Sequence, residues 1–141
     1  MKKTINVLLI NPEDITGRKR LSALTPFAGF AFIRAFCEKS FGKEVSIEII
    51  EMLPERIQIN DVLKRIADDR IDICGITSKT YNYTFALKLA DAIKEYHPTT
   101  LIIFGGAHPN ALPKEVIKNM SIDAIVTREG EITFNNIIRN I

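Results

Sequence analysis

A fivefold alternation of strand-like and helix-like segments restricts the fold of this chain more than any other feature of its sequence. Each strand-like segment is a short apolar run, which is typical of strands buried on both faces of a parallel sheet. Parallel strands need crossover connections, and right-handed helical crossovers are the usual solution. The sequence therefore predicts one α/β domain with strands at residues 5–10, 45–50, 72–77, 101–104 and 123–127.

Capping residues and apolar periodicity place helices between these strands. Thr25 followed by Pro26 predicts the start of the first helix, and Gly42 predicts its end. Asn60 is the predicted N-cap of the second helix. The predicted apolar positions are Phe27, Phe30, Ala31, Ile33 and Phe36 in the first helix, Val62, Leu63, Ile66 and Ala67 in the second, and further sets within residues 85–93, 113–119 and 131–140, the last containing Ile132, Phe134, Ile137 and Ile138.

Five parallel strands favour the flavodoxin-like (Rossmann-like) order 2-1-3-4-5, a three-layer domain with helices on both faces of the sheet. In this order the segments that follow strands one, three, four and five leave the sheet at its carboxyl edge. Ligands of open α/β sheets bind at this edge. We therefore expect residues 11–25, 78–82, 105–109 and 128–131 to line one crevice.

The fourth strand supplies the strongest local signal for a ligand. Four apolar residues run directly into Gly105 and Gly106, where the backbone can come very close to another group. A tight strand-to-helix turn would also explain a Gly-Gly pair. Ser78 and Thr80, after the third strand, add small side chains and free hydroxyls to the same edge. The edge thus suits a bulky ligand with amide and phosphate groups, although fold and small residues alone do not name it.

Composition restricts the partners and the compartment of the protein. Its 141 residues include 19 Lys and Arg against 17 Asp and Glu, and a net charge of +2 gives no electrostatic case for nucleic acid or an anionic membrane surface. No apolar run reaches the length of a membrane span, and the first residues lack a signal-peptide pattern. Cys37 and Cys74 lie in a helical and a strand pattern, where thiols serve as core residues in a reducing compartment. We therefore expect a cytoplasmic protein.

The loops at the carboxyl edge lack the residues of three common chemistries. A phosphate-accepting response regulator needs an Asp after strand three and a Lys after strand five, where this chain has Ser78 and Arg128. The carboxylates of Glu13 and Asp14 would repel the phosphate of a flavodoxin-type mononucleotide. A dinucleotide fingerprint would need three glycines in that loop, and it contains only Gly17.

Five segments carry a resemblance to a known family over almost the whole chain. They are residues 7–12, 26–36, 72–78 with Asn82, 104–109, and 123–126 with 129–131. Their order and spacing resemble the amino-terminal cobalamin-binding domain of cobalamin-dependent radical S-adenosylmethionine proteins, which include anaerobic magnesium-protoporphyrin monomethyl ester cyclases and many methyltransferases. The resemblance implies that cobalamin is the cofactor of this domain.

The resemblance also implies which residues contact the cofactor. Ser78 and Thr80 would lie under the corrin and the nucleotide tail, and Gly105 with Gly106 would let the backbone pass close beside that tail. Asn82 would cap the following helix and face the crevice. The implied cofactor-binding residues are Asn11, Pro12, Gly17, Ser78, Lys79, Thr80, Asn82, Gly105, Gly106, Ala107, His108, Glu129 and Gly130.

Two departures from related patterns bear on the cobalt ligand and on the last loop. In cobalamin domains of mutases and methionine synthase, an Asp-x-His-x-x-Gly motif places an imidazole on cobalt. When Gly17 is matched to the final glycine, Asp14 falls at the histidine position and Pro12 at the aspartate position. The resemblance thus implies base-off cobalamin without a histidine lower ligand. Residues 129–131 resemble the closing Glu-Gly-Glu element of the tail pocket, and Arg128 stands where a glycine commonly precedes it.

The resemblance implies that the chemistry belongs to a domain outside this sequence. In that family a following barrel carries a Cys-x-x-x-Cys-x-x-Cys motif for an iron–sulfur cluster and uses S-adenosylmethionine, whereas these 141 residues contain two cysteines. We expect a single cofactor domain that serves a radical S-adenosylmethionine domain, in cis or in trans, and does not turn over substrate alone. The alternative is a flavodoxin-like interaction or regulatory module that does not bind cobalamin, and a small nucleotide-binding domain is a third possibility.

The cobalamin hypothesis predicts the effect of substituting either glycine of the Gly-Gly pair. Valine at Gly105 or at Gly106 is expected to abolish cobalamin binding without unfolding the domain, because the added side chain would occupy the space of the nucleotide tail.

Overall fold

The computed structural model describes residues 3–14 and 27–141, which form a parallel sheet covered by helices on both faces. Strands and helices alternate along the chain as the apolar periodicity predicts, and this confirms the α/β class. The strands are β1 Ile5–Asn11, β2 Val45–Glu51, β3 Ile73–Thr77, β4 Leu101–Gly105 and β5 Ala124–Ile125. The helices are α1 Ala28–Phe41, α2 Ile59–Asp68, α3 Tyr83–Tyr96, α4 Ala107–Ala111, α5 Pro113–Val116 and α6 Gly130–Arg139. Short 3-10 turns lie at Gly42–Glu44 and Thr80–Asn82.

The described strands form one sheet in the order β2-β1-β3-β4-β5, and every neighbouring pair is parallel. The predicted flavodoxin-like topology is therefore confirmed. The register places Leu9 of β1, Gly75 of β3 and Ile103 of β4 side by side across the middle of the sheet. This row forms part of the floor of the site described below.

Two hydrophobic cores lie on opposite faces of the sheet. One packs α2 and α3 against the sheet and contains Cys74, and the other packs α1 and α6 against it and contains Cys37. Both thiols are fully buried, as expected of core cysteines. Burial raises the pKa of Cys74 to about 12, and burial with the nearby charge of Glu38 raises the pKa of Cys37 to about 11.

Helix boundaries differ from the sequence predictions at two N-termini. Helix α1 begins at Ala28 with Phe27 in the N-cap position, and the predicted cap at Thr25 and Pro26 lies outside the described residues. Helix α2 begins one residue before the predicted cap Asn60. There, Gln58 occupies the N-cap position and its backbone N–H donates to the Asp61 carboxylate at 2.8 Å. Gly42 ends α1 as predicted, with a φ of 55°.

Some predicted core residues are exposed, and one helix was not predicted. Phe36 is 40% exposed and Ile132 64% exposed, and Ala67 also faces solvent, because each lies on the flank of its helix away from the sheet. Helix α4 follows the Gly-Gly pair directly and includes His108 and Pro109. Its single turn is too short to produce a periodic sequence signal.

Candidate functional site

A cavity of about 290 Å³ opens at the carboxyl edge of the sheet, on the face covered by α1 and α6. It extends from the ends of β3, β4 and β5 down to the row of Leu9, Gly75 and Ile103 at the middle of the sheet. Its walls are mostly apolar, and its charged residues are exposed or partly exposed to solvent. The lining residues are Leu9, Phe27, Gly29, Phe30, Ile33, Gly75, Ile76, Thr77, Ile103, Gly105, Gly106, Ala107, Asn110, Val126, Arg128, Glu129, Gly130, Glu131 and Phe134.

The two glycines after β4 have different roles in this wall. A Cβ on Gly105 would have ordinary contacts, the nearest at 3.6 Å from the Val126 carbonyl oxygen, so the absence of a side chain there leaves free space in the cavity. Gly106 has φ 100° and ψ −170°, a conformation that is essentially restricted to glycine. A Cβ on Gly106 would lie 2.7 Å from Thr77 Oγ1 and 2.8 Å from the Ser78 carbonyl oxygen. The local backbone conformation and packing therefore require glycine at position 106, independently of any ligand.

The hydroxyl of Thr77 is the buried polar group in the wall that has no partner. Thr77 is the last residue of β3 and is 3% exposed, and its Oγ1 makes no hydrogen bond with the described part of the protein. A buried hydroxyl without a partner is costly unless a ligand or water satisfies it. The wall thus offers one hydrogen bond to a molecule bound in the cavity.

The opening of the cavity carries charged groups of both signs. Arg128 lines it with Glu129 and Glu131, and the Arg128 N–H donates to Asn110 Oδ1 at 2.7 Å. Helix α6 begins here at Gly130, and the Glu129 side chain does not cap it. The first backbone N–H groups of α6 therefore lie beside the opening.

Hydrogen bonds hold the segments of the carboxyl edge together. The Ser78 N–H donates to the Gly105 carbonyl oxygen at 2.8 Å, and the His108 N–H donates to the Ser78 carbonyl oxygen at 3.0 Å. Asn82 is buried, accepts from the Lys79 N–H at 2.8 Å and donates to the Pro12 carbonyl oxygen at 2.9 Å. The segments after β1, β3 and β4 therefore meet at one edge, as the topology predicted.

Three of these side chains do not have the roles implied by the sequence. Asn82 occupies the N-cap position of α3 but makes no side-chain hydrogen bond to that helix. Ser78 is completely buried and Thr80 bonds His108, so neither supplies the free hydroxyl that was predicted, and neither lines the cavity. The free hydroxyl belongs to Thr77, one residue earlier.

His108 is held against the α3 side of the sheet. Its ring lies 4.0 Å from the Tyr83 ring, centroid to centroid, and its Nδ1 is 3.3 Å from Thr80 Oγ1. Burial raises the pKa of the Tyr83 phenol, and the charge of Glu115 adds to the shift. The other histidine, His97, donates from Nε2 to the Leu63 carbonyl oxygen at 3.0 Å. Within residues 3–14 and 27–141, no histidine lines the cavity and no cluster of His, Cys, Asp and Glu could hold a metal ion.

A buried carboxylate joins the two described ends of the segment between β1 and α1. Glu51, at the end of β2, is 9% exposed and accepts from Asn11 Nδ2 at 2.6 Å and from the Phe27 N–H at 2.8 Å. Its own N–H donates to Glu55 Oε1 at 2.7 Å. Sequence reasoning did not identify Glu51, although a carboxylate that directly follows the apolar pair Ile49 and Ile50 at the end of β2 was a signal for it.

The implied cofactor-binding residues thus divide into three groups. Those that line the cavity are Gly105, Gly106, Ala107, Glu129 and Gly130. Gly17 lies outside the described residues. Those that lie at the same edge or beside it without lining the cavity are Asn11, Pro12, Ser78, Lys79, Thr80, Asn82 and His108.

The fold and the cavity together define an open α/β domain of the flavodoxin-like class with a cavity at the carboxyl edge of its sheet, where ligands of such sheets bind. The chain belongs to the family of B12 binding domains, whose family model matches residues 20–138. The resemblance to cobalamin-binding domains of radical S-adenosylmethionine proteins is thereby confirmed.

Curated relatives match nearly the whole chain. The chain is 29% identical to an uncharacterized methyltransferase of Pyrococcus horikoshii over 138 residues, and 30% identical to the cytidylyl-2-hydroxyethylphosphonate methyltransferase of Streptomyces wedmorensis over 147. It is 25% identical over 135 residues to the anaerobic magnesium-protoporphyrin IX monomethyl ester cyclase of Rubrivivax gelatinosus. These matches cover 96%, 91% and 95% of this chain, but the chain spans only 29%, 27% and 24% of the respective relatives.

Solved structures share the fold at lower identity. The cobalamin-dependent S-adenosylmethionine radical enzyme OxsB superposes with a TM-score of 0.74 at 20% identity, over 97% of this chain and 18% of that one. A cobalamin-binding protein from Desulfitobacterium hafniense superposes with a TM-score of 0.66 at 19% identity, over 98% of this chain and 59% of that one. Within the described residues, no helix is both long and apolar enough to cross a membrane.

Proposed function

We propose that this domain binds cobalamin and holds its nucleotide tail in the cavity between the sheet and helices α1 and α6. The observation that carries the proposal is the cavity itself, an apolar space with the unpaired Thr77 hydroxyl in its wall. Its volume of about 290 Å³ is near the lower limit of small-molecule sites, so it suits one part of a large cofactor. Apolar walls suit the aromatic base of the tail, and the Thr77 hydroxyl can bond a polar atom of it.

The bound cofactor is proposed to be base-off, without a histidine on its lower face. Both histidines are engaged elsewhere, His108 with Thr80 and Tyr83 and His97 with the Leu63 carbonyl oxygen. The corrin would lie over the carboxyl edge, beside the segments that Asn82 ties together. Cobalamin supplies a cobalt centre for methyl transfer or radical chemistry, and the residues described here bind and orient it.

The domain is further proposed to serve a radical S-adenosylmethionine enzyme of the methyltransferase or oxidative-cyclase type. The named relatives support this, since they include two methyltransferases and a cyclase that are three to four times as long as this chain. The catalytic domain, with its iron–sulfur cluster and S-adenosylmethionine, would be supplied in cis or in trans.

A titration with hydroxocobalamin tests the binding proposal. We expect saturable binding, a base-off visible spectrum and colour that stays with the protein through a desalting column. Gly105→Val should weaken cobalamin binding at least about tenfold, because the valine side chain would occupy space in the cavity that the cofactor needs. The substitution should not strain the backbone, since a Cβ at this position has only ordinary contacts.

Ser46→Val is the matched control, because Ser46 is an exposed strand residue of β2 far from the cavity. It should bind like the parent. A parent protein that retains no cobalamin would contradict the proposal and favour the interaction module. Equal affinity of the parent and Gly105→Val would show that the cofactor does not bind in the cavity.

A further inference from the structure

Arg128 is the one cation among the described residues that line the cavity. It lies at the opening together with the carboxylates of Glu129 and Glu131, and within the described residues it has no ion-pair partner. The two carboxylates alone would repel an anion from the opening. An anionic group of a ligand could therefore stay there only beside Arg128.

The backbone fixes Arg128 at this place. Its φ is 62°, in the left-handed region that residues other than glycine seldom adopt, and its N–H is bonded to Asn110 Oδ1 at 2.7 Å. Left-handed backbone does not mark a site by itself, since Arg56 and Arg70 have φ values of 54° and 51°. Arg128 differs from those two because it alone lines the cavity.

A second feature of the opening also favours an anion. Helix α6 has ten residues and begins at Gly130, and no side-chain hydrogen bond caps it. Its first N–H groups and its dipole attract negative charge. The unpaired Thr77 hydroxyl, 3% exposed in the wall of the same cavity, independently indicates a bound molecule.

We propose that Arg128 binds the phosphodiester of the cobalamin nucleotide tail. This inference rests on the proposed function and adds to it the residue that selects a cofactor with a complete tail. The apolar interior suits the base, so the phosphodiester, which is the anionic group of the tail, would lie nearer the opening. A guanidinium presents paired N–H donors that match phosphate oxygens.

The test compares cobalamin with cobinamide, which lacks the phosphodiester, the ribose and the base. Arg128→Gln removes the charge and keeps a polar amide on a shorter side chain. It should weaken hydroxocobalamin binding about tenfold, as expected for loss of a charge-assisted hydrogen bond, and leave cobinamide affinity within about twofold. Arg128→Lys should restore part of the affinity, and the difference between parent and Arg128→Gln should shrink at high salt.

Arg70→Gln is the matched control, because Arg70 has the same left-handed backbone and lies outside the cavity. It should leave both affinities unchanged, and the urea midpoints of all variants should stay close to that of the parent. Equal cobalamin affinity of parent and Arg128→Gln would overturn the inference, and so would an equal loss for cobinamide. Failure of the parent to bind cobalamin would instead overturn the proposed function, together with the inference that rests on it.

Discussion

At the scale of single residues, substitution of Gly106 is predicted to destabilise the fold, whereas substitution of Gly105 is predicted to have little effect on stability. Gly106→Ala should destabilise the domain by about 1–3 kcal/mol, because its backbone conformation is essentially restricted to glycine and the added Cβ would collide with Thr77 Oγ1 and the Ser78 carbonyl oxygen. Urea denaturation of the apoprotein measures this. The sequence-based expectation that valine at Gly106 would spare the fold is therefore revised.

Gly105→Ala is the control for that prediction, because its Cβ has ordinary contacts with Val126. Its free energy of unfolding should stay within about 0.5 kcal/mol of the parent's, as for a substitution without a clash. If Gly106→Ala were as stable as Gly105→Ala, the close approach of Gly106 to Ser78 would not exist in solution.

Single residues also mark where sequence reasoning fails. The hydroxyl-rich end of β3 was predicted to face the ligand, but the choice between Thr77 and Ser78 depends on which side of the sheet each side chain faces. Successive strand residues face opposite sides, so an error of one position exchanges a buried residue that lines the cavity for a buried residue that does not. The periodicity of a fully apolar strand contains no such information, since both of its faces are buried.

At the scale of elements, Glu51 is predicted to hold the connection between β1 and α1. Glu51→Ala should destabilise the domain by about 2–3 kcal/mol, because the Asn11 amide and the Phe27 N–H both lose a buried charged acceptor. Urea denaturation measures the loss. Cobalamin affinity should also fall, because Phe27 at the start of α1 is part of the cavity wall.

Glu48→Ala is the control within the same strand. Glu48 forms a surface ion pair with Arg65, and its removal should cost no more than about 1 kcal/mol and leave cobalamin affinity unchanged. Equal destabilisation by the two variants would show that the buried bonds of Glu51 add nothing beyond a surface pair.

Most elements were predicted from the sequence, including the short strand β5 and the short helix α5, and the exception is helix α4. The strong helices and all five strands were located from apolar runs, and Gly42 marked the end of α1. Helix α4 is too short to leave a pattern. The cap of α2 is set by Gln58 and Asp61, a pair that no single-residue preference for N-caps would select.

At the scale of the whole molecule, the strand order followed from connectivity rules, because helical crossovers between parallel strands leave few arrangements. The cavity could not be derived in this way. Its shape depends on how Phe30, Ile33 and Phe134 pack over the sheet, and this packing is a property of the assembled layers. The layers also place one buried thiol on each face of the sheet.

The burial of these two thiols leads to predictions about local unfolding of the domain and about the pH dependence of its free energy of unfolding. Because both pKa values are raised, to about 11 for Cys37 and about 12 for Cys74, neither thiol should react with a disulfide reagent at pH 8 in the native state. If the layers unfold as one unit, both thiols should be labelled at the same rate, whereas faster labelling of Cys37 would mean that α1 opens separately.

The sign of the pH effect follows from proton linkage. The folded pKa values lie above the ordinary thiol value of 9.0, so the native state binds the thiol protons more tightly than the unfolded state does. The thiol contribution to stability is then complete below pH 9 and is lost as the pH rises towards 11 and 12. A variant with both cysteines replaced by alanine keeps every other titrating group and lacks the thiol contribution, and the packing that it loses changes its free energy of unfolding by an amount that does not depend on pH. The parent should therefore lose stability more steeply than this variant between pH 9 and 11, and parallel curves would mean that the thiols ionise as readily in the folded chain as in the unfolded one.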